Sequence, residues 1–243
     1  MRWRAGIDIG GTFTDFALYD GHEGRLITGK RLTTPHDPSV AALAGLFELL
    51  DRANTAPREV AQVLHATTLA TNVVIERRGD TTALVVTRGY GDVLEIGRQK
   101  RWDTYDLSVD RRPPIVPRRH VHEITERLAH DGSVVTPLDE VEVRELARIL
   151  VLEGVVSVGV CLLHSYRNPE HERAVARILA EEAPSLLVSI SSDVSPIWRE
   201  YERSNTVAVN AYIMPAVSAY MAEIARGLRA HGYEGELLIM QSN

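Results

Sequence analysis

The sequence predicts an α/β fold in which a mixed sheet, opening on a β-meander, is flanked by helices. Three observations carry this. Short apolar or alternating runs crowd the chain up to Thr33 with no helical period between them. From Pro38 onward, segments with helical spacing alternate with short β-rich runs. The 243 residues are 44% hydrophobic and 25% charged, ordinary values for a globular chain with a real core. Disordered and collagen-like classes are thereby set aside.

Ala5–Ile9 is a short apolar strand, Gly10-Gly11 a turn, Phe16–Tyr19 a second strand and Arg25–Thr33 a third. Pro35-His-Asp-Pro38 announces a helix, with Asp37 as its cap and Pro38 in its first turn. Its apolar positions are Val40, Leu43, Leu46, Phe47 and Leu50. A strand is expected over Gln62–Ala66, a short helix over Asn72–Arg78 and a central strand over Thr81–Thr87. Periodicity then fades between Gly89 and Pro117, an irregular insert of the kind that is usually functional or disordered. His120–Arg127 reads as a strand and Asp131-Gly132 as a turn. Thr136-Pro-Leu-Asp139 is a helix start, with Thr136 as cap, and Gly154 ends that helix after about Leu152.

Val155–Leu163 reads as a buried strand. Asn168-Pro169 caps a helix with Ala174, Val175, Ile178 and Leu179 inward, and Leu186–Ser191 is another strand. Ile197–Arg203 and Ser204–Ala230 are helical, with an interruption at Pro215, and Glu236–Met240 begins a last strand. The composition turns helical after Ser192–Pro196, so a domain boundary is expected there, between residues 1–192 and 193–243.

Lys plus Arg is 27 and Asp plus Glu 33, a net charge of −6. A mildly acidic chain has no electrostatic footprint for nucleic acid or an anionic membrane. The one cysteine, Cys161, permits no internal disulfide and sits in an apolar run, where a thiol acts as a small hydrophobe. A cytoplasmic setting is the expectation. No signal region opens the chain, and no apolar run approaches the roughly 18 residues of a membrane helix.

The strongest local signal is Gly6-Ile-Asp-Ile-Gly-Gly-Thr-Phe-Thr-Asp15. Gly10 and Gly11 let the backbone turn and approach a ligand closely. Successive amides in such a turn make a concave donor site for phosphate oxygens, and Thr12 and Thr14 add hydroxyls. Asp8 stands just before the turn, where a carboxylate holds Mg²⁺ through water. Metal plus phosphate donors is the toolkit of phosphoryl transfer. The bland alternative is a plain Gly-Gly hairpin with solvent-facing threonines. Strand–turn–strand context excludes both the Walker loop and the Rossmann fingerprint.

The chain resembles the hydantoinase A/5-oxoprolinase family, related to acetone-carboxylase-type subunits. The blocks that carry the likeness run in order through nearly the whole chain. They are the loop just described, Thr33-Thr-Pro-His-Asp-Pro38, His65-Ala-Thr-Thr-Leu-Ala-Thr-Asn72 and Ile75-Glu-Arg-Arg-Gly79. Asp92-Val-Leu-Glu-Ile-Gly-Arg-Gln99, Val160-Cys-Leu-Leu-His-Ser-Tyr166, Asn168-Pro-Glu-His-Glu172, Arg199-Glu-Tyr-Glu-Arg-Ser204 and Met240-Gln-Ser-Asn243 follow. The resemblance implies an actin-like ATPase (ribonuclease H-like) fold of two lobes, ATP and Mg²⁺ as cofactors, and a B-type subunit or domain as partner. It also implies a small cyclic amide as substrate, phosphorylated on its carbonyl oxygen and then opened by water. In the family, a second Asp-Gly-Gly-Thr loop and the adenosine site come later. The expectation is therefore a fragment with an incomplete second lobe, inactive alone and self-associating.

On this reading Asp8 orients the metal, Gly10, Gly11, Thr12 and Thr14 hold phosphates, and Asp15 braces the loop. Thr67, Thr68, Thr71 and Asn72, at a strand end feeding a helix, suit an anion or polar substrate, with an ordinary capped helix as the alternative. Arg98 and Arg101, with Tyr105, are candidates to clamp a carboxylate, against a solvated or interface loop. His164 and His171 match no closed zinc spacing and are assigned structural roles. Besides the hydrolase, two other functions stay open: a subunit of a ketone carboxylase, and an inactive scaffold.

Overall fold

The computed structural model describes residues 3–34, 37–99, 103, 105–106, 108–109 and 112–240. These divide into two compact units, Met1–Asn72 with Ala216–Asn243, and Val73–Pro215.

The first unit is built on a five-stranded mixed sheet. Strands β1 (Trp3–Ile9), β2 (Phe13–Asp20) and β3 (Leu26–Leu32) form the expected antiparallel meander. Strand β4 (Val60–Thr67) runs parallel to β1. The last strand, β11 (Glu236–Ile239), adds parallel to β4, giving the order β11-β4-β1-β2-β3. Alternation along β1 sends Trp3, Ala5, Ile7 and Ile9 to one face, with Phe16, Leu18 and Val63 beside them. Helix α1 (Pro38–Arg52) covers that face with Ala42, Leu46, Leu49 and Leu50. Asp37 caps it as expected, accepting the Ser39 amide at 3.0 Å. Val40 points outward at 53% exposed, and Ala41, Ala42 and Leu49 take the inward places. The sheet meets a stripe one residue wider than the pattern marked.

Gly45 lets α1 lie flat on β2, since a Cβ there would meet the Phe16 ring at 2.2 Å. Tyr220, Ile224 and Leu228 from the second half of helix α7 (Glu200–Ala230) complete this core.

The second unit holds a separate four-stranded sheet, all parallel, in the order β10-β9-β5-β6. Its strands are β5 (Thr82–Thr87), β6 (Val121–Ile124), β9 (Ser157–Cys161) and β10 (Leu187–Ile190). The one mixed sheet expected from the sequence is thus two main sheets, beside a small two-stranded one. Strand periodicity marks each strand but not its partners. Every residue of β5 and β9 is buried, because layers cover both faces. Helices α4 (Glu140–Leu152) and α5 (Glu170–Glu182) pack on one face through Leu146, Leu150, Val175 and Ile178. Val207 and Ala208, from the first half of α7, pack on the other against Leu84 and Val86. Gly159 permits the approach: a Cβ there would lie 3.2 Å from the Val207 carbonyl.

Helix α2 (Leu69–Glu76) begins three residues before its expected start at Asn72. The irregular insert contains only the short helix α3 (Val93–Ile96) among its described residues. Thr136 is not a helix cap. It ends strand β8 (Val134–Thr136), which pairs with β7 (Arg127–Leu128), and the capping falls to Asp139 through the Val141 and Glu142 amides. A short helix, α6 (Ser191–Val194), follows β10. Helix α7 runs unbroken through Pro215. It is long and apolar enough, by length and composition, to cross a membrane, contrary to the reading of the sequence, yet Val207, Ala208, Ala211, Ile224 and Leu228 are buried within the two units. The break expected at residue 192 falls inside the second unit, because the 200–215 stretch of α7 packs on its sheet.

Candidate functional site

The site is built around the β1–β2 turn. The Gly10 amide closes the turn on the Phe13 carbonyl at 2.9 Å, and a Cβ at Gly10 would press that oxygen at 3.1 Å. Gly10 is therefore a turn residue whose amide is spent. Gly11 is different: it is exposed, and a Cβ there would meet nothing within 4 Å. The fold leaves open space beside it. The amides of Gly11 and Thr12 and the Thr12 hydroxyl take no partner among the described residues, so three donors face outward.

Thr14 faces the other way. It is fully buried, and its hydroxyl pairs with that of Thr33 at 3.0 Å. Thr33 also donates to the Gly10 carbonyl at 2.9 Å and its amide to the Thr12 carbonyl at 2.9 Å. Thr14 and Thr33 together brace the loop from beneath. Thr33 was legible only as part of a sequence block; the bracing depends on β3 returning alongside β2.

Asp8 stands directly opposite Asp15 across the β1–β2 pair, and both are exposed. Facing carboxylates repel. Lys30 neutralises Asp15 at 3.0 Å, and Asp8 has no ion-pair partner among the described residues. Asp8 and Asp15 stand at one end of an open groove of about 520 Å³ on the uncovered face of the sheet. Its floor is small, Gly6, Ala17 and Ala66, with Leu64, Tyr19 and Met240 along it.

The second constellation adjoins the turn. The Thr68 amide and hydroxyl both reach the Ile9 carbonyl, at 3.4 Å, which ties the end of β4 to the end of β1. Thr67 accepts the Leu69 amide at 3.1 Å and so caps α2, and the Asn72 amide makes the first helical bond to the Thr68 carbonyl. Thr71 is exposed in the first turn of α2. Thr67 is thus occupied as a cap, while Thr71 and the positive end of the helix remain available to an anion.

Arg98 lies in the second unit and grips Glu202, Nε to Oε1 at 2.7 Å. Its fork is filled by the chain's own carboxylate, which the sequence placed 104 positions away. Arg101 lies outside the described residues; Tyr105 is 95% exposed. His171 is structural as expected, its Nδ1 2.8 Å from the buried Glu126. Cys161 is buried, and burial pushes its thiol up, as befits an inert packing group.

His65, which opens the third sequence block, is buried beneath the site. Its Nε2 meets the Tyr220 hydroxyl at 2.7 Å, and its Nδ1 lies near the Ile7 backbone without a hydrogen bond. Burial holds this imidazole below its ordinary value of 6.5, against weaker opposing effects of Ile7 and Asp8. The unfolded chain therefore takes up the proton more readily than the folded one. The stability from His65 is present above pH 6.5 and is lost as pH falls below that value toward the lowered folded one. Urea melts between about pH 5 and 8 should show midpoints falling on the acid side. His65→Gln should flatten that fall, separating it from His122, which burial also lowers. A midpoint independent of pH would contradict this.

Comparison with known proteins bears on this geometry. Residues 4–183 match the family model described as the hydantoinase/oxoprolinase N-terminal region. The chain is 34% identical over 249 residues to caprolactamase subunit alpha of Pseudomonas jessenii, covering 100% of this chain and 36% of that protein. It is 33% identical to the acetophenone carboxylase gamma subunit of Aromatoleum aromaticum, covering 98% of this chain and 34% of that one. The crystal structure of the ATP-dependent caprolactamase from Pseudomonas jessenii superposes with a TM-score of 0.88 at 32% identity, over 98% of this chain and 35% of that one. The chain spans about a third of the length of each.

Proposed function

The chain belongs to the hydantoinase/oxoprolinase family, and from that premise we propose that it is the N-terminal part of an ATP-dependent cyclic-amide hydrolase. The observation that carries the reading is an Asp8 carboxylate and Gly11 and Thr12 amides that have no partner among the described residues and lie side by side. These groups fit a phosphate chain with its metal: outward N–H donors, room for close approach at Gly11, and a carboxylate free of protein cations. The meander-first sheet, with its parallel β4 and β11, supports the actin-like ATPase form of the fold.

In this reading Gly11 and Thr12 hold phosphate oxygens and Asp8 orients Mg²⁺ through water. Thr14, with Thr33, keeps the loop in shape, and Gly10 makes the turn. Thr71 and the amino end of α2, at Asn72, face the substrate or the terminal phosphate, with Thr68 tying the end of β4 to β1. ATP, when bound, supplies the phosphoryl group that converts an amide oxygen into a leaving group. The chain's own residues position the reactants and balance developing charge, and no protein nucleophile is needed. A relative named as a subunit of caprolactamase supports a companion subunit of the B type.

The likeness to an acetophenone carboxylase subunit favours a second reading, in which the same loop serves a ketone carboxylase. The complete enzyme, assayed with ATP and a cyclic amide without bicarbonate, separates the two. Ring opening coupled to ATP hydrolysis is expected. A product formed only from a ketone with bicarbonate would replace the hydrolase reading with the carboxylase one.

A further inference from the structure

Two sequence blocks that the phosphate loop does not use, Val160–Tyr166 and Arg199–Ser204, meet at the carboxyl end of β9. The meeting point is Arg203. Its side chain is 1% exposed, yet no carboxylate pairs with it. Nε reaches the Cys161 sulfur at 3.3 Å, and Nη2 donates to the Leu162 carbonyl. Nη1 is buried with no hydrogen-bond partner among the described residues. Sulfur is a weak acceptor, so a buried guanidinium is left with one good hydrogen bond. A buried charge in that condition is costly.

The buried carboxylate nearby does not answer it. Glu172 accepts from the Leu162 amide at 2.9 Å, the Ser192 amide at 2.8 Å, and the Ser165 and Ser191 hydroxyls at 2.8 and 2.6 Å. Its lone pairs are taken up within that network.

The location has its own significance. Chain order through the parallel sheet runs from β5 outward to β6, then back across β5 to β9 and on to β10. The connections leave β5 and β9 in opposite directions, which makes their carboxyl ends a topological switch point. Ligands of open α/β sheets bind in the crevice at that point. Directly after β9, His164 holds a left-handed backbone, φ 59°, uncommon for a non-glycine residue. Its ring and that of Tyr166 stand edge to face at 6.1 Å, with Tyr166 5.4 Å from the Arg203 guanidinium. Arg127 adds positive charge around His164, and Glu200 is the opposing negative group.

We propose that the carboxyl end of β9 is a binding site for a small planar oxyanion of the carboxylate class, anchored by Nη1 of Arg203. Nη1 supplies two unmet N–H donors, and charge-assisted bonds from a guanidinium to an anionic oxygen are strong ones. His164 and Tyr166 roof the site and shift to admit the anion. The shared chemistry covers an organic carboxylate and bicarbonate. The site lies wholly in the second unit and does not rest on the phosphate-loop reading.

The test is thermal melting of the full 243-residue chain with sodium acetate, sodium bicarbonate or sodium phosphate, each balanced with sodium chloride to constant ionic strength. A saturable rise in melting temperature is expected with acetate, bicarbonate or both, and not with phosphate. Arg203→Met should abolish the rise, and Arg203→Lys, which keeps the charge but loses Nη1, should shift saturation to at least about tenfold higher concentration. Saturation at lower bicarbonate than acetate assigns the site to inorganic carbon; the reverse assigns it to an organic acid. Equal response to all salts, response to phosphate alone, or a rise retained by Arg203→Met would overturn the proposal. Should a variant fail to fold, crystals of the unaltered chain soaked in acetate decide. A carboxylate within hydrogen-bond reach of Nη1 is expected, and a water alone there would overturn the site.

Discussion

Glu172→Ala is expected to destabilise the second unit by about 2–5 kcal/mol, the cost of leaving buried donors unmet. Glu172 is fully buried and gathers two backbone amides and two serine hydroxyls around one carboxylate. The amides belong to Leu162, just past β9, and Ser192, just past β10, so the carboxylate ties together the ends of two adjacent strands. Alanine leaves the two buried amides unmet, at about 1–3 kcal/mol each with incomplete additivity, while the Ser165 hydroxyl can turn to the Leu162 carbonyl at 3.0 Å. Against a total stability of about 5–15 kcal/mol, this removes a large share of the folded population. Glu172→Gln keeps the shape and one acceptor oxygen and should fall between. Chemical denaturation with a probe in the second unit measures both. A loss under about 1 kcal/mol for the alanine variant would show that these bonds do not hold the strand ends together.

Asp8→Ala is expected to lower ATP turnover of the complete enzyme by about 100- to 1000-fold, the range seen when one preorganised electrostatic contact is removed. The fold should not notice. Asp8 is exposed, has no ion-pair partner among the described residues, and faces another carboxylate. Surface changes of this kind stay within about 0.5 kcal/mol. Removing it relieves repulsion with Asp15, so melting should be unchanged or slightly raised. Asp8→Asn keeps the volume and loses the charge, and should behave as the alanine variant does if the carboxylate acts through Mg²⁺. Steady-state ATPase over a Mg²⁺ titration, beside a melting curve, measures both halves. Normal turnover with normal Mg²⁺ dependence would remove Asp8 from the site.

The candidate site was legible where its chemistry is local. A turn that requires glycine, a carboxylate two residues before it and a threonine after it lie within five positions, so Asp8, Gly11 and Thr12 stand out without any fold. Thr14 reads as one more hydroxyl on the same loop. Only the pairing of β2 with β3 turns it inward against Thr33. Arg98 likewise looked free until α7 brought Glu202 to it, and no local pattern announces a partner so distant in the chain.

By itself the sequence determined the elements whose causes are a few residues long: the three-stranded meander, the Asp37 cap of α1, the buried β5 run, and the Gly154 stop, at φ 69°. Alternation, capping and left-handed glycine are near-neighbour effects, so they survive without tertiary context. Tertiary structure alone decided that the strands divide among three sheets, that β11 returns to pair with β4, and that Thr136 ends a strand instead of capping a helix. It also decided that Arg203, one of several arginines in a helical run, is the one buried with an unmet donor. Which strand pairs with which, and which cation is enclosed, follow from long-range burial and hydrogen-bond satisfaction, and these have no period in the chain.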